Sequence, residues 1–104
     1  MSNLVETERK LDEAVACVEA LGWRLQPGIT FDDQNKWCCP LSAVWICEGQ
    51  PIVPRVDTWA ARKLDITARE AGWFMAGFDG GRSKKRFALL GRKYRQRITL
   101  GVQG

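Results

Sequence analysis

The stretch TAREAGWFMAGFDGG, from Thr67 to Gly81, contains the clearest structural signals of the sequence. Thr67 and Glu70 are spaced as in a capping box, in which each side chain satisfies a free backbone N–H at a helix start. An apolar run follows, and Asp79 with the two glycines after it is an ordinary helix stop. The stretch therefore predicts a helix that begins at Thr67 and ends before Asp79.

Two further helices are predicted on the N-terminal side of this stretch. Apolar residues recur at helical spacing from Leu4 to Leu21, and Gly22 should end that helix, with Trp23 packing back on it. A second helix should begin at Pro40, because proline fits the first helical turn, and should end at Gly49. It is apolar on all sides, which predicts that it is buried.

Two more helices are predicted on either side of the capping box. Asp57 can cap a short helix from Thr58 to Leu64. Ser83 can cap a last helix, on which one apolar stripe faces the core; the stripe consists of Phe87, Leu90, Tyr94 and Ile98. The run from Ile98 to Val102 leaves a short C-terminal strand open as an alternative.

The remaining segments, residues 24–36 and 50–56, are rich in proline, glycine and aspartate. This composition favours turns and extended connectors over regular elements. We therefore expect an all-α or mainly α fold, with residues 1–104 forming a single compact domain of about five short helices.

The composition limits the class of protein. With 45% hydrophobic residues and five tryptophans, 104 residues can form a core without disulfides or metal. The apolar runs are too short to span a bilayer, and the first residues do not resemble a signal peptide, so we expect a cytoplasmic protein without membrane contact. Reduced thiols are then expected at all four cysteines, which are Cys17, Cys38, Cys39 and Cys47.

The chain contains no histidine. Most hydrolase mechanisms that operate near neutral pH use imidazole, and the cysteines lack the paired spacing of zinc ligands. We therefore predict a protein that is not an enzyme and that binds neither metal nor cofactor. A reactive thiolate at Cys38 or Cys39, favoured by a helix start and with Asp79 nearby, is the enzymatic alternative, and buried packing is the other interpretation.

Positive charge is concentrated in a basic segment, residues 82–98. Residues 82–104 hold eight Lys and Arg and no acid, whereas residues 1–81 carry a net charge of −4. Such a segment suits nucleic acid or another polyanion, and the candidate binding residues are Arg82, Lys84, Lys85, Arg86, Arg92, Lys93, Arg95 and Arg97. The alternatives are a solvated face, or internal neutralisation by Asp32, Asp33 and the acids of the first helix.

Residues 58–78 resemble a helix-turn-helix, with Asp65 at the position where the turn glycine usually lies. Aspartate tolerates the left-handed backbone that this turn needs. The resemblance implies that the second helix reads DNA, but its Ala71–Ala76 run lacks polar side chains for base edges. An ordinary corner between two core helices is the alternative.

The pairing of Cys38-Cys39-Pro40-Leu41 with Gly77-Phe78-Asp79-Gly80 resembles small bacterial and phage proteins. That resemblance implies a compact helical domain and carries no activity with it.

A protein–protein adapter or inhibitor with an acidic partner is the alternative function, in which a helix face or exposed tryptophans make the contact. Trp37 and Trp59 are the candidates for exposure, whereas Trp23, Trp45 and Trp73 lie in apolar surroundings typical of a core.

Overall fold

Five helices make up most of the part that the computed structural model describes, which is residues 3–28, 31–49 and 56–103. They are α1 (Leu4–Ala20), α2 (Pro40–Cys47), α3 (Val56–Leu64), α4 (Ala68–Phe78) and α5 (Arg86–Gln103). The mainly α prediction is therefore confirmed. The predicted connector from Gln50 lies outside the described residues as far as residue 55.

The helix ends follow the local chemistry that predicts them. At the start of α4, Glu70 N–H donates to Thr67 Oγ1 at 3.1 Å and Thr67 N–H donates to Glu70 Oε1 at 2.8 Å, which completes the capping box. At the end of α1, Gly22 has φ +94° and Trp23 N–H donates to Val18 O at 2.9 Å. This is the bond that defines a Schellman motif.

Two predicted helix starts are shifted. The third helix begins at Val56, two residues before the predicted Thr58. The last begins at Arg86, and Ser83 Oγ accepts from Lys85 N–H at 3.2 Å in the turn before it. Ser83 therefore stabilises the turn that precedes α5, but it is not the N-cap of the helix.

A small sheet occupies the segment predicted as a loop with an extended stretch. It contains β1 (Arg24–Leu25), β2 (Phe31–Asp32) and β3 (Trp37–Cys38), with β3 central, parallel to β1 and antiparallel to β2. Strands of two residues are too short to show a period of two, which is why the composition indicates only turns. The strand considered for residues 98–102 is wrong, because α5 continues to Gln103.

The expectation of four reduced thiols is wrong for Cys17 and Cys47. These residues form a disulfide between α1 and α2, with their Cα atoms 5.9 Å apart, inside the usual range for such a bond. The expectation rested on the cellular compartment, whereas the pairing follows from how α1 and α2 pack. Cys38 and Cys39 are free and buried.

The α4–α5 contact fixes the position of the basic segment. Gly77 and Gly91 lie where the two backbones meet: a Cβ on Gly77 would stand 2.0 Å from Ala88 O, and one on Gly91 would stand 2.1 Å from Phe74 O. Only glycine permits this approach. Phe74, with 1% of its surface exposed, and Tyr94, fully buried, face each other across the contact.

Among the helices described, none is long and apolar enough to cross a membrane.

Candidate functional site

The basic segment divides into two halves with different surroundings. The docked half comprises Arg92, Lys93, Arg95 and Arg97, and the open half comprises Arg82, Lys84, Lys85 and Arg86.

The docked half is tied to α1 by two ion pairs. Lys93 Nζ pairs with Glu8 Oε2, and Arg97 Nη1 pairs with Asp12 Oδ1 at 2.8 Å. Both cations lie on one side of α5, and both acids lie on one side of α1. The acids of the first helix therefore neutralise two of the four cations of this half, in line with the internal alternative.

Tyr94 forms the buried centre of the same contact. It is fully buried, and its hydroxyl donates to Asp12 Oδ1 at 2.6 Å and lies 3.2 Å from Glu8 O. Burial, with the adjacent Asp12 carboxylate, raises the pKa of Tyr94. Partial burial tends to raise the pKa of Asp12 as well, but the hydrogen bonds from Tyr94 and Arg97 outweigh it, and that pKa is lowered. The contact thus keeps a carboxylate ionised and paired.

The other two cations of the docked half bind backbone at the end of α4. Arg95 Nη1 donates to Phe78 O at 3.1 Å, and Arg92 Nη1 donates to Gly81 O at 2.9 Å. Cations are favourable at a helix C-terminus, where carbonyls without partners give a negative field. These bonds hold both guanidinium groups against the turn between α4 and α5, with one N–H of each engaged.

The open half has a different environment. Arg82, Lys84, Lys85 and Arg86 are all exposed, and within the described residues none forms an ion pair. They immediately precede or begin α5, where the first backbone N–H groups of a helix have no intrahelical acceptor. The four side chains and the helix start therefore create a local positive field.

A groove of about 240 Å³ lies beside the open half. Its apolar walls are Leu4, Trp73 and Phe87, the first of which opens α1. Lys85 and Arg86 line it from the entry to α5, and Lys85 Nζ lies 5.1 Å from the centre of the Trp73 ring. The remaining lining residue is Glu70 of the α4 capping box.

A second groove, of about 280 Å³, lies beside the disulfide between α1, α2 and α3. Its charged residues are of both signs, since Lys10 and Lys63 stand with Glu13 and Glu48. Lys63 Nζ is 3.4 Å from Glu48 Oε2, so this groove has no excess positive charge. It is a poor site for an anion.

Asp32 and Asp33, the other acids considered for internal neutralisation, do not contact the basic segment. Asp32 Oδ1 accepts from Gln34 N–H at 3.0 Å and Asn35 N–H at 3.2 Å, and Asp33 pairs with Lys36 at 2.9 Å. These bonds hold the β2–β3 turn. The internal alternative is therefore correct for α1 only.

The two buried thiols have the environment of packing groups. Cys38 is fully buried, and burial raises its pKa to about 12. Cys39 caps α2 by accepting from Ser42 N–H at 3.3 Å, yet its burial also raises its pKa. A thiol protonated at neutral pH is a weak nucleophile. The described residues also contain no group of three or more potential ligands that could hold a metal ion.

The corner between α3 and α4 has the backbone expected for a helix-turn-helix turn, with φ +57° at Asp65. Ala71, Phe74 and Phe78 of α4 are buried in the core, and beyond Arg69 its exposed residues are glycine and alanine, which offer no polar side chain to base edges. The helix-turn-helix resemblance stays a prediction.

The tryptophans divide almost as expected. Trp23 and Trp45 are buried, and Trp37 is 38% exposed. Trp59 is half-buried, with its ring 4.4 Å from that of Trp45 in an edge-on contact. Trp73 is also half-buried, which the apolar run around it does not indicate, and it is the tryptophan that lines the groove beside the open half.

No known protein-family model matches this chain, and neither a curated protein nor a solved structure matches it.

Proposed function

We propose that this chain is a non-enzymatic binding domain that engages nucleic acid or another polyanion through the open half of the basic segment. The observation that supports this most is the state of Arg82, Lys84, Lys85 and Arg86, which are exposed and without ion pairs in the described part of the chain. Cations in this state can bind phosphates and release the counterions that are condensed on the nucleic acid. This release is the main source of nonspecific nucleic-acid affinity.

The proposal revises the set of binding residues. Sequence alone nominates eight cations, but the docked half is engaged by Glu8, Asp12 and the backbone at the end of α4. Breaking those contacts would offset much of what a phosphate contributes. We therefore expect about four phosphate contacts, and a slope of log K against log[salt] of about −3 to −4.

The adapter alternative has weaker support. Four large hydrophobic side chains are exposed among the described residues and belong to different elements or element ends, with Val5 and Leu21 at opposite ends of α1, Trp37 on β3 and Leu89 on α5. Single exposed apolar residues are normal for a surface, whereas a docking site needs a contiguous patch.

The test compares two double variants that each remove two positive charges. Lys84→Gln/Arg86→Gln lies in the open half, whereas Arg24→Gln/Arg62→Gln removes exposed cations on β1 and at the end of α3. Titration with oligonucleotides across salt concentrations should show the slope reduced by about 2 for the first variant only. Equal losses in both variants, or no binding by the wild type at low salt, would overturn the proposal.

A further inference from the structure

The groove beside the open half combines two features that nucleic-acid sites use together. Three of its lining residues are apolar and include the half-buried Trp73, and Lys85 and Arg86 line the same groove. Arg82 and Lys84 lie in the same open half a few residues earlier in the chain. A ring to stack on, beside cations that have no ion-pair partner among the described residues, is the arrangement by which proteins bind unpaired bases and their phosphates.

The size of the groove restricts its occupant. At about 240 Å³ it is smaller than the roughly 300–1,000 Å³ of pockets that enclose drug-sized ligands. One planar ring system fits such a space better than a peptide or a duplex does. A base inside a duplex is stacked on both faces and cannot reach a side-chain ring without leaving the helix.

The charges in the groove indicate how the strand would lie. Glu70 lines the groove, and its Oε1 accepts from Thr67 N–H in the capping box. Lys85 and Arg86, the two cations that line the groove, suit the phosphates of a strand, whereas Leu4, Trp73 and Phe87 offer apolar surface to a base. The base, which is uncharged, is the part of a nucleotide suited to the interior.

We propose that the chain binds single-stranded nucleic acid, with one unpaired base stacked on Trp73 in this groove and the flanking phosphates bound by Lys85 and Arg86. The inference rests on the proposed polyanion binding and adds the class of ligand. Lys85, whose ammonium lies over the Trp73 ring in the free protein, moves to a phosphate as the base takes its place. The exchange is favourable, because base stacking on a tryptophan exceeds an exposed cation–π contact.

The chain offers a matched control for Trp73. Trp59 is also half-buried and also has a lysine over its ring, with Lys63 Nζ 5.4 Å from the ring centre. That lysine is paired with Glu48, outside the open half. Trp59→Leu therefore removes a comparable ring without touching the proposed site.

The experiment measures affinity for three probes at equal salt: an oligothymidylate of about 12 nucleotides, a duplex of that length and inorganic polyphosphate. Trp73→Leu should weaken oligothymidylate binding about tenfold and leave duplex binding, polyphosphate binding and the salt slope unchanged. Trp73→Phe should restore most of the loss, and Trp59→Leu should bind all three probes like the wild type.

A second measurement uses the wild-type protein and does not depend on how any variant folds. An abasic strand with the same number of phosphates as the oligothymidylate should bind about tenfold more weakly than it. Equal affinity for the two strands would overturn the inference, as would a Trp73→Leu variant that loses affinity for all three probes alike.

The failure of the inference and the failure of the proposed function have different signatures. Salt-dependent binding of all probes with no effect of Trp73→Leu contradicts base stacking and leaves polyanion binding in place. No binding of any probe at low salt contradicts both.

Discussion

The two halves of the basic segment carry the same number of cations and differ in the ion pairs that those cations make. Lys93 and Arg97 pair with acids of α1, whereas Lys84 and Arg86 have no ion-pair partner among the residues described. The difference arises from position along α5. Its middle lies beside the acids of α1 and the end of α4, whereas its start lies beside Leu4 and Trp73, which carry no charge. A run of like charges in a sequence therefore does not show which of its side chains can bind a ligand. That depends on the residues that contact them in the fold.

The first prediction concerns Gly91, which lies where α5 meets α4. This close contact holds the whole basic segment in place. In Gly91→Ala the new Cβ would stand 2.1 Å from Phe74 O and 2.8 Å from Phe78 N, and both are backbone atoms that cannot turn aside. The helices must separate, so we expect the free energy of unfolding to fall by about 3 kcal/mol. Urea denaturation followed by circular dichroism measures this.

Gly72→Ala is the control for that variant. Gly72 is also within a helix, but a Cβ there has no atom within 4 Å, and it is exposed. This substitution should raise stability by up to about 1 kcal/mol, because alanine favours helix. Similar effects of the two substitutions would contradict the close α4–α5 contact.

The second prediction tests the docked half through Tyr94. Tyr94→Phe removes the hydroxyl that donates to Asp12 at 2.6 Å and keeps the ring that packs on Phe74. The lost bond to a charged acceptor should lower the free energy of unfolding by about 1.5 kcal/mol. Oligonucleotide affinity, measured by fluorescence anisotropy, should stay within twofold; a large loss of affinity would place Tyr94 in the binding surface.

The third prediction removes the charges of the docked half. Lys93→Gln/Arg97→Gln breaks both pairs with α1, which are partly exposed, so stability at low salt should fall by about 1 kcal/mol. The salt slope of oligonucleotide binding should stay closer to that of the wild type than the slope of Lys84→Gln/Arg86→Gln. An equal reduction of the salt slope in both variants would show that the two halves of the basic segment contribute equally to binding.

The fourth prediction is the smallest and concerns pH. The folded-state pKa of Asp12 lies below its ordinary value, so its contribution to stability is present near neutral pH. That contribution is lost as pH falls below about 4 and the carboxylate gains a proton. The stability difference between wild type and Asp12→Asn should therefore narrow as pH falls below about 4 in urea titrations. A constant difference would show that Asp12 is not held ionised by Tyr94 and Arg97.

Local signals in the sequence predict local structure well. Thr67 with Glu70 marks the start of α4, and Gly22 with Trp23 marks the end of α1. In each case the two residues are close in sequence, and both helix ends are confirmed. The sheet is not predictable in this way, because its strands have two residues each and β1 pairs in parallel with β3, beyond β2 in the sequence. The Cys17–Cys47 disulfide was missed because it depends on how α1 packs on α2.

The candidate site, too, is predictable from the sequence only where it depends on residues that are close together in the chain. The sequence identifies all eight cations, but Asp12 and Arg97 are 85 residues apart, and no local pattern connects them. Trp73 lies in a run typical of a core helix, and only the approach of α1 and α5 makes it the wall of a groove. The sequence shows which residues are charged, whereas tertiary contacts determine which of those charges can bind a ligand.

The most direct test of the central claim is a titration of the isotopically labelled protein with an oligothymidylate of about 12 nucleotides, followed by backbone amide NMR shifts. The account predicts that the largest shifts fall on residues 82–87 and on the Trp73 indole N–H, with little change at residues 92–97. Shifts concentrated at residues 92–97, or absent at low salt, would contradict it.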